Sequence, residues 1–137
     1  MRGISLLLIG ATLVSCTTAP PPPSAAMRSP SGQRAYASLL TGKIAGRPIS
    51  CLPSYDTNDM SVIDGRTIAF RRGTGTVYLV HLSEGCSLLG GGPYALLSRN
   101  LGGSGLCRGD IQQVFDTLNH MTVGSCVVAD IVPYTRP

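Results

Sequence analysis

The chain carries five cysteines, and four of them, Cys51, Cys86, Cys107 and Cys126, fall in its C-terminal two-thirds with no Cys-x-x-Cys pair among them. No other feature constrains the fold as much. Zinc favours short chelating loops, and with none present and only His81 and His120 as histidines, no metal centre is expected. In an exported domain an even number of cysteines reads as a disulfide framework. Export is legible at the N-terminus, where Met1-Arg2 gives a positive start and Ile4 to Val14 an apolar run that leads through Ser15 to Cys16. That run is about half of the ~20 residues a helix needs to cross a bilayer, so a permanent span is not expected.

Four cysteines allow three pairings. If residues 110 to 116 and 125 to 131 form a hairpin about a turn at 117 to 124, Cys107 lies opposite Tyr134 and Cys126 opposite Phe115. The two sulfurs are then about 25 Å apart along the ladder, far beyond the ~7 Å between α-carbons that a disulfide tolerates. Cys107–Cys126 fails on that ground, and Cys51–Cys86 with it. Of the two survivors, Cys51–Cys107 with Cys86–Cys126 is preferred, and Cys51–Cys126 with Cys86–Cys107 stays open.

Composition divides the chain into residues 1–15 as leader, 16–32 as tether and 33–137 as domain. The tether holds Pro20 to Pro23 in an unbroken row and no apolar periodicity, which suits an extended polyproline spacer better than a docking ligand. The remainder, roughly 105 residues, suits a single domain. With two Phe and no Trp, its core must come from Leu, Ile, Val and Tyr.

Residues 66–72 alternate, with Ile68 and Phe70 on one face and Thr67, Ala69 and Arg71 on the other. Thr76 to Leu82 is β-branched and aromatic, and Gly73-Thr74-Gly75 joins the two as a hairpin. Cys126 to Tyr134 reads as a third strand, with Pro133 placing its end at a sheet edge. Pro48 to Leu52 and Tyr94 to Ser98 are shorter candidates. Asp110 to Met121 is ambiguous, because Ile111, Val114, Phe115 and Leu118 recur at helical spacing while Ile111, Gln113 and Phe115 would line one face of a strand. The expected fold is mostly β: a small disulfide-braced antiparallel sheet, as a sandwich or open barrel.

Leu13-Val14-Ser15-Cys16 resembles the lipobox of bacterial lipoproteins. The resemblance implies cleavage before Cys16, a diacylglyceryl thioether on its sulfur and acylation of the new amine. It also implies attachment to the cell envelope, and Thr17 in place of an Asp tilts the expectation to the outer membrane rather than the inner. Further on, Cys51-Leu52-Pro53, residues 67–86 (TIAFRRGTGTVYLVHLSEGC), Leu106-Cys107-Arg108-Gly109-Asp110-Ile111 and a Cys126 strand closing on Pro133 look like small exported proteins of Alphaproteobacteria. That family is uncharacterised and has four such cysteines. The likeness implies a mostly β fold, tips Asp110 to Asp116 towards strand and brings no catalytic residues.

Chemistry is sparse. Neither His81 nor His120 has a nucleophile motif beside it, and Ser104 in GGSG does not complete a nucleophile elbow. Asp56, Asp59 and Asp64 are the one carboxylate cluster, able to flank a sugar bond, but the spacing is not that of a calcium loop and a solvated loop is expected. The net charge of +4 is carried almost wholly by Arg. It lacks the concentrated stripe and aromatic platforms of a nucleic-acid binder, so no nucleic-acid partner is expected. Arg66, Arg71 and Arg72 form the tightest basic group, a candidate contact for an anionic envelope polymer or simply a charged strand edge. Arg108-Gly109-Asp110 spells an adhesion tripeptide that a bacterial chain carries by chance.

The expectation is therefore a non-enzymatic lipoprotein, anchored in the membrane through lipid on Cys16, without cofactor, that binds or braces an envelope protein or anionic polymer. The alternatives are an envelope-polymer hydrolase working through Asp56, Asp59 and Asp64, and an inhibitor of lysozyme-like enzymes. The mild positive charge disfavours the inhibitor, because such enzymes are themselves cationic.

Overall fold

The computed structural model describes residues 28–52, 59–83, 86–98 and 105–137. The segment read as a leader, Cys16 and the proline row lie outside them, as do Asp56 and Ser104.

The hairpin legible around Gly73-Thr74-Gly75 is the framework. Strands β4 (Thr67–Arg72) and β5 (Thr76–Leu82) pair antiparallel from Thr67 opposite His81 to Arg72 opposite Thr76. Residues 111–116 are also strand: β8 (Ile111–Asp116) pairs with β6 (Tyr94–Ser98) on one side and β9 (Met121–Thr135) on the other. Local helical spacing there is overridden by the two strand partners, which bury Gln112, Val114 and Asp116 on one face. β3 (Met60–Asp64), β1 (Ile44–Ala45), β2 (Cys51–Leu52) and β7 (Leu106–Cys107) complete the strands, and α1 (Pro30–Leu40) precedes them.

The main sheet is antiparallel and seven-stranded, ordered β3-β4-β5-β9-β8-β6 with β1 added to β9, while β2 and β7 make a two-stranded ribbon. It curls into a half-barrel. Register shifts in the β3–β4, β5–β9 and β8–β9 pairs are sites where an extra residue bends a strand and raises its twist. β9 does most of the joining, because its N-terminal half pairs with β8 and its C-terminal half with β5.

Each face of the sheet has its own core. Inside the curl pack Leu52, Ile68, Phe70, Val80, Leu106 and Ile131 with their neighbours. On the outer face Ile63, Ala69, Val77 and Leu79 are covered by Ala35, Tyr36, Leu39 and Leu40 of α1. β4 is thus buried on both sides as far as Phe70.

Cys51 is bonded to Cys107 and Cys86 to Cys126, the pairing preferred from the sequence. The first staple crosses β2 and β7 at directly opposed residues, and the second lies buried in the inner core. The register that argued against Cys107–Cys126 is offset from the one observed. The turn spans residues 117–120 rather than 117–124, and Cys126 faces Gln112 instead of Phe115. A turn at Arg108-Gly109 also separates Cys107 from β8, so the extended ladder assumed for that distance does not run on to Cys107, and it is the observed bonds to Cys51 and Cys86 that exclude Cys107–Cys126.

Three further features depart from the sequence reading. Helix α1 begins inside the segment assigned to the tether, with Ser29 as its N-cap, Ser29 Oγ accepting the Gly32 N–H at 3.1 Å, and Pro30 in the first turn. β3 forms within what reads as a polar aspartate loop. Pro133 is on the central β9 and not at a sheet edge; it faces Tyr78, while its carbonyl accepts the Gly46 N–H at 2.7 Å. Its ring removes one donor and leaves the acceptor in use.

Candidate functional site

The outer face presents two polar regions, one at each end of α1. At the C-terminal end lies a cleft of about 510 Å³. Strand register builds it: Ile44 of β1 and Thr76 of β5 both stand opposite Thr135 of β9, which brings Lys43, Thr76 and Arg136 to one level. Arg71, opposite Val77, adds a third cation from β4, and the hairpin turn supplies Thr74. Among the described residues Asp59 is the one carboxylate in the lining, and its Oδ1 lies 3.0 Å from Arg71 Nη2, both side chains about half exposed. Lys43 Nζ donates to the Leu39 carbonyl at 2.8 Å, a cation set against the negative end of the helix. Among the described lining residues, three cations stand against one carboxylate.

At the other end of α1 the register lines up Asp64, Thr67, His81 and Asp130 in one row across β3, β4, β5 and β9. Asp64 is nearly buried, 2.7 Å from the Nε of an equally buried Arg28, and it also accepts the Arg66 N–H at 2.7 Å. The Arg28 guanidinium lies 4.0 Å above the Tyr36 ring. His81 Nδ1 and Asp130 Oδ1 are 2.5 Å apart and partly exposed. Nearby Tyr134 has its phenol pKa raised, first by burial and then by Tyr36. A histidine paired with a carboxylate is half of an acyl-transfer site. The hydroxyl next in the row, Thr67, is fully buried and closed to substrate, so the row reads as a polar seam that runs from the buried Asp64 and Thr67 to the partly exposed His81 and Asp130.

The sequence-derived candidates are dispersed. Arg66 sits in the turn before β4, about 16 Å of extended strand from Arg71, and Arg72 points to the opposite face of β4 from Arg71. Only Arg71 of the three lines the cleft. Asp59 and Asp64 flank opposite ends of β3, each paired with a different arginine, and Asp56 and Ser104 fall outside the described residues. His120 is a turn residue with φ of 53°, its ring tilted against Phe115. Arg108-Gly109-Asp110 forms the turn into β8, where Asp110 Oδ2 accepts the Cys107 N–H at 2.7 Å and Arg108 Nε donates to the Ala129 carbonyl. Lys43 and Arg136 were missed, because only the pairing of β1 with the end of β9 makes them neighbours and no local pattern marks either.

Among the described residues no group of His, Cys, Asp or Glu is arranged to hold a metal ion, and no helix is long and apolar enough to cross a membrane. Comparison of the chain with family models, curated proteins and solved structures finds no match in any of the three.

Proposed function

We propose that the chain is a non-enzymatic lipoprotein of the bacterial cell envelope, held in the membrane, and by preference the outer one, through acyl chains on Cys16. The proline segment sets the β domain off from the bilayer, and the domain binds or buttresses an envelope protein or an anionic envelope polymer. The observation that carries the reading is the pair of disulfides in so small a domain, because such bonds persist in oxidising compartments outside the cytosol. The leader ending at Cys16 is consistent with the same destination. Two or three acyl chains make dissociation negligible, at about 0.8 kcal/mol for each methylene buried. Confinement at a surface raises the effective concentration of the domain, so a weak contact is enough for occupancy. Among the described residues, Asp59 and Asp64 stand in separate ion pairs, which weighs against the hydrolase alternative.

Metabolic labelling with palmitate followed by membrane fractionation tests the anchor. The wild-type protein is expected to carry label and sediment with outer membrane, and Cys16→Ser to lose the label and move to the soluble fraction. A wild-type chain that is unlabelled and soluble would reject the proposal.

A further inference from the structure

The cleft beside the C-terminal end of α1 has the composition of a ligand site, and we infer that it binds a phosphorylated sugar. Its volume of about 510 Å³ is within the range of small-molecule sites and far larger than a phosphate ion requires. Lys43 immediately before β1, Arg71 on β4 and Arg136 immediately after β9 line it, and backbone pairing fixes the mutual register of those strands, so the charges are assembled by the fold. Arginine's planar fork suits two oxygens of one phosphate, and a lysine adds a point charge. Phosphate alone leaves the rest of the lining unexplained. Thr74 and Thr76 offer hydroxyls at the same cleft, and Asp59, about half exposed beside Arg71, can accept from a ligand hydroxyl. Sugar hydroxyls answer both, and the partly buried Leu39 side chain gives the C–H face of a ring something apolar to lie on.

This names a ligand for the binding role proposed above and rests on that reading only in the choice of source. The sugar phosphate is either the headgroup of a membrane glycolipid or a free solute. The chain leaves the described fold at Arg28, before the start of α1, and the cleft is at the far end of this 11-residue helix, about 16 Å away. The tether from Cys16 to Arg28 spans roughly 37 Å if extended as polyproline, enough for the cleft to meet a headgroup layer.

The full-length protein in detergent, titrated with glucose 1-phosphate in a calorimeter, is expected to bind saturably. Glucose and inorganic phosphate should each bind about tenfold or more weakly. Arg71→Gln/Arg136→Gln should weaken binding about tenfold or more, as loss of charged hydrogen bonds does, with circular dichroism unchanged. Arg136→Gln alone serves if the double variant does not fold, and Arg47→Gln, exposed and outside the cleft, should bind as wild type. Flotation of the Cys16→Ser chain with phosphatidylcholine vesicles that contain a phosphorylated glycolipid, competed by glucose 1-phosphate, assigns the membrane source. Soluble binding without flotation assigns the free sugar phosphate. No saturable binding, binding indifferent to the arginine substitutions, or inorganic phosphate binding as tightly as the sugar phosphate overturns the inference. None of these outcomes depends on whether wild-type Cys16 carries lipid.

Discussion

At the scale of single residues, carboxylates organise turns and buried corners. Asp116, at the end of β8, accepts the Leu118 N–H at 2.9 Å, the Asn119 N–H at 3.1 Å and Asn119 Nδ2 at 2.6 Å, which fixes the turn into β9. The Asn119 side chain is the largest cause of its lowered pKa, since a hydrogen bond to the ionised form favours that form. A carboxylate with a depressed folded pKa contributes stability that is present above its unfolded pKa and lost as pH falls through the folded value. Asn119→Ala is therefore expected to raise the Asp116 pKa towards 3.8, so that this contribution fades at a higher pH on acidification. An NMR titration of the Asp116 carboxyl reads this directly, and an unmoved midpoint contradicts it. Asp64 is the sharper case, because its partner Arg28 is almost fully buried. Asp64→Ala leaves a buried guanidinium unpaired and should cost about 3–5 kcal/mol in denaturant unfolding, whereas Arg28→Met with Asp64→Leu should cost less than Asp64→Ala. A similar loss in both variants would contradict a charge-burial origin. Local sequence shows that Asp59 and Asp64 are close in number; it does not show that β3 runs between them and hands each to a different arginine.

At the scale of elements, what was legible is what repeats locally. The β4–β5 hairpin follows from alternation flanking a glycine turn, and its observed faces match that alternation because nothing tertiary opposes it. β8 is the reverse, since apolar residues at helical spacing form a strand when β6 and β9 offer ladders on both sides. Helix α1 had local signals, a Ser29-Pro30 start and Tyr36, Leu39 and Leu40 at i, i+3 and i+4, but a proline-rich composition masks them. The helix sits close to the sheet at Gly32, where an added Cβ would lie 2.4 Å from the Ile63 carbonyl oxygen. Gly32→Ala consequently sets two effects against each other. Alanine improves helix propensity by up to about 1 kcal/mol, while overpacking against a backbone atom costs about 1–3 kcal/mol. The clash should win, lowering domain stability even as a peptide of residues 28–42 becomes more helical. A more stable domain would mean that α1 lifts off β3 at little cost.

At the scale of the whole molecule, the two disulfides interleave along the chain, so each closes a loop that contains one cysteine of the other. Their sequence separations of 56 and 40 give nearly equal loop-closure contributions, about 4 kcal/mol each. Burial distinguishes them. Cys86 and Cys126 lie in the inner core while Cys51 is exposed, so replacing the buried pair by Ser should destabilise more than replacing Cys51 and Cys107. Equal shifts in melting temperature would contradict that ranking. The two disulfides were legible from the cysteine count, and the pairing preferred from the sequence is the one observed. The basic cleft was not legible, since it exists only once β1, β4 and β9 are brought together. The measurement that most directly tests the account is the intact mass of the mature protein from a membrane fraction, with and without reduction, beside Cys16→Ser. The expected result is a chain beginning at Cys16 with a lipid-sized addition absent from the variant, and a gain of four hydrogens on reduction as Cys51–Cys107 and Cys86–Cys126 open. A wild-type mass without lipid, or one unchanged by reduction, contradicts the account of an anchored, disulfide-braced envelope domain.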